Sequence, residues 1–139
     1  MRYWLVKSEP GEWSWHDHWN APRRTAPWDG VRNHQANNNL KAMEKGDRAF
    51  FYHSVNERSI HGVLEVVRPW YPDPQDPDGR FGMVEFKAIK PFQHPVTLAQ
   101  VKAESQLADL PLIRQSRLSV MPIPEQAWAI LCRMGGIDP

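Results

Sequence analysis

The feature that most constrains this chain is a run of three strand-like segments with no helix between them. Residues Arg48–Ser54 and Ile60–Val67 are rich in aromatic and β-branched side chains, which favour strands. Residues Val84–Ala88 alternate apolar and charged side chains, as a strand with one buried face does. A short linker and a loop rich in Pro and Asp (residues 72–79), expected to be exposed, separate the three. We therefore expect antiparallel neighbours, because parallel strands need long crossover connections.

Further elements are predicted on both sides of this run. Tyr3–Lys7 and Leu118–Met121 are predicted as short strands, and Trp13–Trp28 as an irregular segment with one helical turn after Ser14. Three helices are predicted from their capping residues. The first runs from the N-cap Asn33 to near Lys45, with Gly46 as the stop. The second runs from Thr97 to about Glu104, with Gln100 completing a capping box. The third runs from Pro124 to Met134, and its buried face carries Trp128, Leu131 and Cys132.

This order predicts an α/β (α+β) domain in which short helices pack against a small, strongly bent mixed sheet. The apolar phase slips at Ile89 and resumes at Phe92, which indicates a β-bulge, and bulges bend sheets towards barrels. A parallel doubly wound fold would need alternating strands and helices. The 139 residues fit one domain that spans 1–139.

The charge balance excludes one kind of nucleic-acid binder. Seventeen Lys and Arg against 16 Asp and Glu leave a net charge of +1, too little to coat a polyanion through bulk charge. Local basic stretches remain, because residues 20–41 hold four cations against the single acid Asp29, and residues 110–124 hold Arg114 and Arg117 with no acid. Any contact with nucleic acid must depend on such patches.

Cysteine and apolar content indicate the compartment. Cys132 is the only cysteine, so no internal disulfide can form and a reducing environment is expected. The first apolar run ends at Lys7 and is too short for the core of a signal peptide. No apolar run approaches the ~20 residues of a membrane span. We expect a cytoplasmic protein, or a nuclear one if its source has a nucleus, with no membrane partner. Nothing in the sequence indicates an oligomeric state.

Several chemistries lack their motifs. The histidines are scattered, and there is neither an HExxH motif nor a cysteine pair, so no metal site is predicted. The glycines are isolated except for one pair, so no phosphate-binding loop and no cofactor are predicted. Lys7-Ser8-Glu9 allows a hydrolase with Ser8 as nucleophile and Lys7 as base, but neighbouring residues on a strand point to opposite faces, and the tripeptide is equally a strand-ending turn.

Three polar and aromatic clusters suggest recognition of a base. Trp28–Asn33 combines a ring, an acid, a turn, a cation and an amide, and the amides of Asn37–Asn39 follow it. Phe50–Ser54 ends a strand with a phenol, an imidazole and a hydroxyl, and Arg114–Ser119 carries two guanidiniums. Each alone is also a helix cap, a hairpin end or a solvated loop. Together they supply a stacking surface, hydrogen-bonding groups and cations for phosphates, which an extruded base requires.

Several blocks of the chain also match one known family in order. They are Tyr3–Pro10, Trp28–Asn33, Gly46–Asp47 with Phe51–Ser54, Gly62–Val67 with Tyr71–Asp73, Pro95–Leu98 and Ser116–Val120. These blocks resemble the EVE domain of the thymocyte nuclear protein family and its bacterial relatives, over about residues 1–135. The resemblance implies a PUA-like fold, an open barrel-like sheet with helices at its rim. It also implies recognition of a modified base, notably 5-methylcytosine or its oxidised forms, in DNA, with RNA left open.

The resemblance further implies which side chains take part. The base-binding pocket would be lined by Lys7, Ser8, Trp28, Val31, Asn33, Tyr52, His53 and Ser54. The phosphate-contacting rim would hold Arg32, Arg114, Ser116, Arg117 and Ser119. The chain departs from the family at His34, where many relatives have Tyr, and at Asn37, where a longer basic side chain would be unsurprising. If residue 34 helps to form the pocket, the ligand preference of this chain differs from that of the relatives with Tyr at this position.

Three functions follow from this and are separable by geometry. The first is a module that binds a flipped-out modified base, with Trp28 either a stacking ring or a core residue. The second is a hydrolase of modified nucleosides, like some ASCH domains, which needs Lys7 paired with a carboxylate in a closed pocket. The third is a protein-interaction domain with a vestigial cleft. An open cleft with aromatic walls and flanking arginines favours the first.

Overall fold

The computed structural model describes all 139 residues. Its strands and helices are, in chain order, β1 (Tyr3–Ser8), α1 (Trp15–Trp19), β2 (Thr25–Trp28), α2 (His34–Ala42), β3 (Arg48–His53), β4 (Ser59–Pro72), β5 (Gly82–Thr97), α3 (Leu98–Ala103), α4 (Pro111–Arg114), β6 (Val120–Ile123) and α5 (Glu125–Met134). Single 3-10 turns at Pro22–Arg24 and Ser105–Leu107 complete the regular structure. No helix is both long and apolar enough to cross a bilayer.

All six strands form one sheet in the order β2-β5-β4-β3-β1-β6. The three successive strands β3, β4 and β5 pair antiparallel, as their sequence predicts. The first strand β1 pairs parallel with β3 and antiparallel with β6, which makes the sheet mixed. Because β2 and β6 are at opposite edges, the sheet is not closed. The predicted class, a mixed α/β (α+β) sheet with short helices packed against it, is confirmed.

The predicted bulge is present in β5. Val63 pairs with Lys90 and Leu64 pairs with Ala88, so Ile89 is the extra residue between them. Three further shifts of register occur along the same pair of strands, and each extra residue bends the ladder. These shifts let β4 and β5 run to 14 and 16 residues, well beyond the predicted segments.

Aromatic stacking joins the last helix to the sheet. Trp128 in α5 is buried, and its ring stacks on Phe50 of β3 and Tyr3 of β1, with 3.8 and 4.4 Å between ring centroids. Leu131 and Cys132 on the same face are buried too. The predicted core face of α5 is therefore confirmed, and it covers the sheet where β1 and β3 run side by side.

The structure corrects two further predicted boundaries and adds two elements that were not predicted, strand β2 and helix α4. Residues Thr25–Trp28 form the edge strand β2, which accommodates Pro27 because an edge strand has only one neighbour. Helix α2 ends at Ala42 because Met43 is extended and buried, and Gly46 instead serves a turn at a φ of +95°. The last strand begins at Val120, since Leu118 belongs to a turn closed by its N–H on the Gln115 carbonyl.

Candidate functional site

A solvent-open cleft of about 720 Å³ lies where β1 and β2 end, beside the start of α2 and the loop before β6. This volume lies within the range of about 300–1,000 Å³ that is typical of small-molecule binding sites. It is lined by Lys7, Ser8, Glu9, Glu12, Trp13, Ala26, Pro27, Trp28, Asp29, Gly30, Val31, Arg32, Asn33, Ser54, Ser116, Arg117 and Ser119. The sheet thus brings together segments that are more than a hundred residues apart in the chain.

Most of the residues singled out from the sequence meet at this cleft. Those of the predicted base pocket are Lys7, Ser8, Trp28, Val31, Asn33 and Ser54, and those of the predicted rim are Arg32, Ser116, Arg117 and Ser119. Their proximity follows from the pairing of β1 with β3 and β6, which sets Ser8 beside His53 and Val6 beside Val120. Their roles in binding stay predictions.

Tyr52 and His53 do not line the cleft but contact segments that contribute to it. Tyr52 is buried beneath Lys7, whose Nζ lies 5.6 Å from the phenol ring centroid, and burial raises the pKa of the phenol. His53 Nε2 accepts the backbone N–H of Trp15 at 3.0 Å, which fixes the start of α1 against β3. Both side chains therefore position segments that reach the cleft.

The two arginines before β6 differ in their environment. Arg114 lies in a neighbouring hollow of about 360 Å³, where its guanidinium bonds the Asp109 carboxylate at 3.1 Å and the Ala108 carbonyl at 3.2 Å. Arg117 borders both the hollow and the cleft, is exposed, and has no carboxylate within 4.0 Å. Of the predicted pair, only Arg117 offers an unpaired charge at the cleft.

The side chains expected to vary the pocket lie outside it. His34 packs against Phe81, 4.9 Å between ring centroids, and does not border the cleft. Asn37 is buried, accepts from the Trp70 indole and the Gly82 N–H, and donates to the Arg80 carbonyl. Both polar atoms of this amide are thus engaged in holding α2 against β4 and β5, which corrects the expectation that it pairs with a base.

One buried carboxylate fixes the turn that carries much of the cleft wall. Asp73 Oδ2 accepts the Gly30 N–H at 3.1 Å and the Arg32 guanidinium at 3.2 Å, and Oδ1 accepts the Gln75 N–H at 2.9 Å. Burial alone would raise the pKa of Asp73, but these donors outweigh it and hold the pKa below its ordinary value. The loop that was expected to be exposed therefore contributes a buried anchor, and the Arg32 charge is already paired.

A hydrogen-bonded chain orients the ring of Trp13. The Phe86 carbonyl can only accept, so the buried His18 donates from Nε2 at 2.8 Å and accepts the Trp13 indole N–H on Nδ1 at 3.1 Å. Burial lowers the pKa of His18, which favours this neutral form. Trp13 is half-buried and lines the cleft, so part of its side chain is exposed there. Sequence reasoning missed it, although a Trp in a polar segment with no apolar periodicity was a usable signal.

Trp28 contributes to the cleft mainly as a foundation. It is 6% exposed, and its ring meets Phe51 and Phe86 edge-on at 5.2 and 5.7 Å between centroids. Both contacts lie within the hydrophobic core. Of the two alternatives left open from the sequence, a stacking ring or a core residue, these contacts fit the core residue, although Trp28 also borders the cleft.

The pairing required for a hydrolase is not formed. Lys7 Nζ donates to the Ser116 carbonyl at 2.9 Å, has no carboxylate within 4.0 Å, and has its pKa lowered by burial. Ser8 Oγ donates its hydrogen to the Trp13 carbonyl at 2.6 Å rather than to a basic side chain. Lys7 instead ties β1 to the loop before β6, and Ser8 ties β1 to the segment that carries Trp13.

His53, Glu57 and His61 form a cluster that the sequence did not predict, with ligand atoms within 4.8 Å of one another. His53 Nε2 accepts a backbone N–H, so the neutral ring carries its proton on Nδ1, the atom that faces Glu57 at 3.9 Å. A proton on His53 Nδ1 occupies the lone pair that would otherwise coordinate a metal ion. The two imidazoles stack at 3.8 Å, and burial together with His53 lowers the pKa of His61 to about 4.

Comparison with known proteins supports the relationship suggested by the sequence. The family model of the EVE domain matches residues 2–134. The chain belongs to the EVE domain family. Among curated EVE-domain relatives, mouse thymocyte nuclear protein 1 is 30% identical over 99% of this chain and 75% of its own length.

Two solved structures show how closely the fold is shared. The EVE domain described here superposes on Rpa0253 from Rhodopseudomonas palustris with a TM-score of 0.92 at 50% identity, covering 98% of this chain and 94% of that one. It superposes on the human THYN1 protein, in complex with 5-methylcytosine-containing DNA, with a TM-score of 0.91 at 30% identity over the whole of both chains.

The Asp73 anchor predicts a pH-dependent contribution to stability. Because its folded pKa lies below the ordinary value of 3.8, the carboxylate stabilises the fold above that value and loses its effect as the pH falls through the folded pKa. Asp73→Asn should cost about 1–3 kcal/mol in the free energy of unfolding near neutral pH, since its amide would face two donors. Urea unfolding of both proteins should show this difference narrowing as the pH is lowered towards about 3.

Asp78→Asn is the matched control, since Asp78 is an exposed acid of the same loop with a single exposed partner, Arg80 at 3.7 Å. It should change the free energy of unfolding by no more than about 0.5 kcal/mol. An Asp73→Asn protein as stable as wild type at neutral pH would contradict the role given to this anchor.

Proposed function

We propose that this EVE domain binds nucleic acid by receiving one modified base, 5-methylcytosine or a related base, that has been extruded from its strand into the cleft. The observation that carries the proposal is the composition of the cleft: an oriented indole, an apolar recess, carboxylate acceptors and one unpaired arginine at a single open site. Its relative, the human THYN1 protein, forms a complex with DNA that contains 5-methylcytosine.

Stacking falls to Trp13. Base–aromatic stacking stabilises a bound base by about 1–3 kcal/mol and requires an exposed ring face. We assign this role to Trp13, which lines the cleft and is only half-buried. The His18 hydrogen bond holds its ring before any ligand arrives, which lowers the entropy lost on binding. Trp28 has too little exposed surface to stack on a nucleobase and forms part of the floor of the cleft.

The acids of the cleft suit the edge of a cytosine. Glu9, Glu12 and Asp29 line the cleft, so it carries three carboxylates beside the cations Lys7, Arg32 and Arg117. Carboxylates repel phosphate but accept hydrogen bonds from the exocyclic amino group of cytosine. The interior therefore fits a base better than a phosphate, which leaves the backbone to the rim.

The 5-methyl group requires only a small apolar recess. Ala26, Pro27 and Val31 line the cleft next to Trp28 and provide such a surface. One buried methyl contributes about 0.8 kcal/mol, or roughly fourfold in affinity. We therefore expect a preference for the methylated base that is real but modest, superimposed on the larger contribution from stacking.

The first test of the proposal compares two tryptophans of one segment. Trp13→Ala should weaken binding to a 5-methylcytosine oligonucleotide by about tenfold or more, because stacking is lost. Trp19 is equally half-buried but lies outside the cleft, with the Arg24 guanidinium 3.5 Å above its ring. Trp19→Ala should leave affinity within about twofold of wild type in fluorescence-anisotropy titrations. Equal losses in two folded variants would contradict the stacking assignment.

The second test separates the two arginines before β6. Arg117→Gln should weaken binding to modified and unmodified strands alike, and reduce the slope of log K against log salt by about 0.7–0.9, the value for one phosphate contact. Arg114→Gln is the control, because Arg114 is already paired with Asp109, and it should change the slope far less. A loss with Arg117→Gln that is confined to modified strands would instead place this side chain on the base.

A further inference from the structure

The β3–β4 hairpin loop, Ser54–Arg58, presents an apolar side chain next to the cleft. Val55 is 59% exposed and, apart from Met1 at the chain start, is the only large hydrophobic residue that is exposed. Its neighbour Ser54 lines the cleft. An isolated exposed Val needs no explanation in general, but its backbone conformation makes this one unusual.

Val55 is held in a conformation that β-branched residues rarely adopt. Its φ is +68°, and the Asn56 N–H donates to the Ser54 carbonyl at 2.8 Å, which closes a γ-turn of the rare, strained kind. Glu57 follows with a φ of +56°. Strain of this kind persists only where the surroundings impose it, and it concentrates at binding sites.

Contacts at both ends of the loop impose it. The Ser54 N–H donates to the Ser8 carbonyl, and the Leu98 N–H donates to the Arg58 carbonyl, each at 2.9 Å. Ser59 Oγ donates to the Glu57 carbonyl. The loop is therefore held rigidly at both ends. Its one apolar side chain, Val55, is exposed to solvent beside the opening that the base would enter.

We propose that Val55 is a wedge that enters the base stack of duplex DNA and occupies the space left by the extruded base. The inference rests on the proposed function and extends it by naming a duplex, rather than a single strand, as the ligand. Extrusion from a duplex leaves a gap, and apolar side chains inserted between base steps offset part of the cost of unstacking. A single strand has no partner stack, so a wedge contributes nothing there.

The test measures the affinity of each variant for two probes: a DNA strand with one 5-methylcytosine, and the same strand annealed to its complement. Val55→Asn and Val55→Gly suit the left-handed backbone and remove the apolar group. Each should weaken duplex binding by about tenfold, the effect of burying one valine side chain, and leave single-strand binding within twofold. Thermal melting should show both variants at least as stable as wild type. Val55→Leu should keep duplex affinity near that of wild type.

Glu57→Gly is the control for loop flexibility, because it relieves a positive φ two residues away without removing the wedge. It should leave the ratio of duplex to single-strand affinity unchanged. Equal losses on both probes, or no loss on the duplex, with the Val55 variants would overturn the wedge and leave the proposed function standing. A wild-type protein that binds neither probe would overturn the proposed function and the wedge with it.

Discussion

The parallel pairing of β1 with β3 is the constraint on which the site depends. It places the first strand between β3 and β6, so that the end of β1 meets the hairpin after β3 and the loop before β6. Backbone hydrogen bonds extend both pairings beyond the ends of β3 and β6. The Ser54 N–H donates to the Ser8 carbonyl, and the Lys7 N–H donates to the Ser119 carbonyl. One side of the cleft is thus built from main-chain pairing, which side-chain substitutions leave largely intact. The identity of its lining residues can then vary without loss of the scaffold.

The other side of the cleft depends on buried polar anchors. Asp73 holds the turn at Gly30 and Arg32, and His18 holds Trp13 through its indole N–H. Both groups have their pKa values lowered, Asp73 despite its burial and His18 because of burial. Charged Asp73 and neutral His18 are the forms that these hydrogen bonds require. Preorganisation of this kind lets an open cleft bind without first ordering its own walls.

Much of the fold could be predicted from local patterns, and what was missed is non-local. Capping residues located the starts of α2 and α3, and the slip at Ile89 located the bulge. Strand β2 was missed because Pro27 opposes strand formation except at an edge, and an edge is a property of the whole sheet. For the same reason a run of aspartates and prolines gave no sign that Asp73 would be buried.

The site was predicted as a set of segments more accurately than as individual side chains. Which neighbour reaches the cleft depends on strand register, so Ser54 lines it while Tyr52 and His53 do not. Whether an arginine is free depends on its partners in space, and Asp109 occupies Arg114 but not Arg117. The protonation and hydrogen bonding of His18, which orient Trp13, are visible only once β5 brings the Phe86 carbonyl alongside.

Whether the base enters this cleft is tested most directly by two-dimensional NMR. The indole N–H signals of the seven tryptophans are followed during titration with a 5-methylcytosine duplex. A base stacked on Trp13 would shift its indole signal through the ring current, and Trp13→Phe identifies that signal by its disappearance. Binding of the base in the cleft should produce a large, saturable shift for Trp13. The signals of Trp4 and Trp128, which are buried and do not line the cleft, should stay unchanged. Saturable binding that leaves the Trp13 signal in place would contradict the claim that this cleft receives the base.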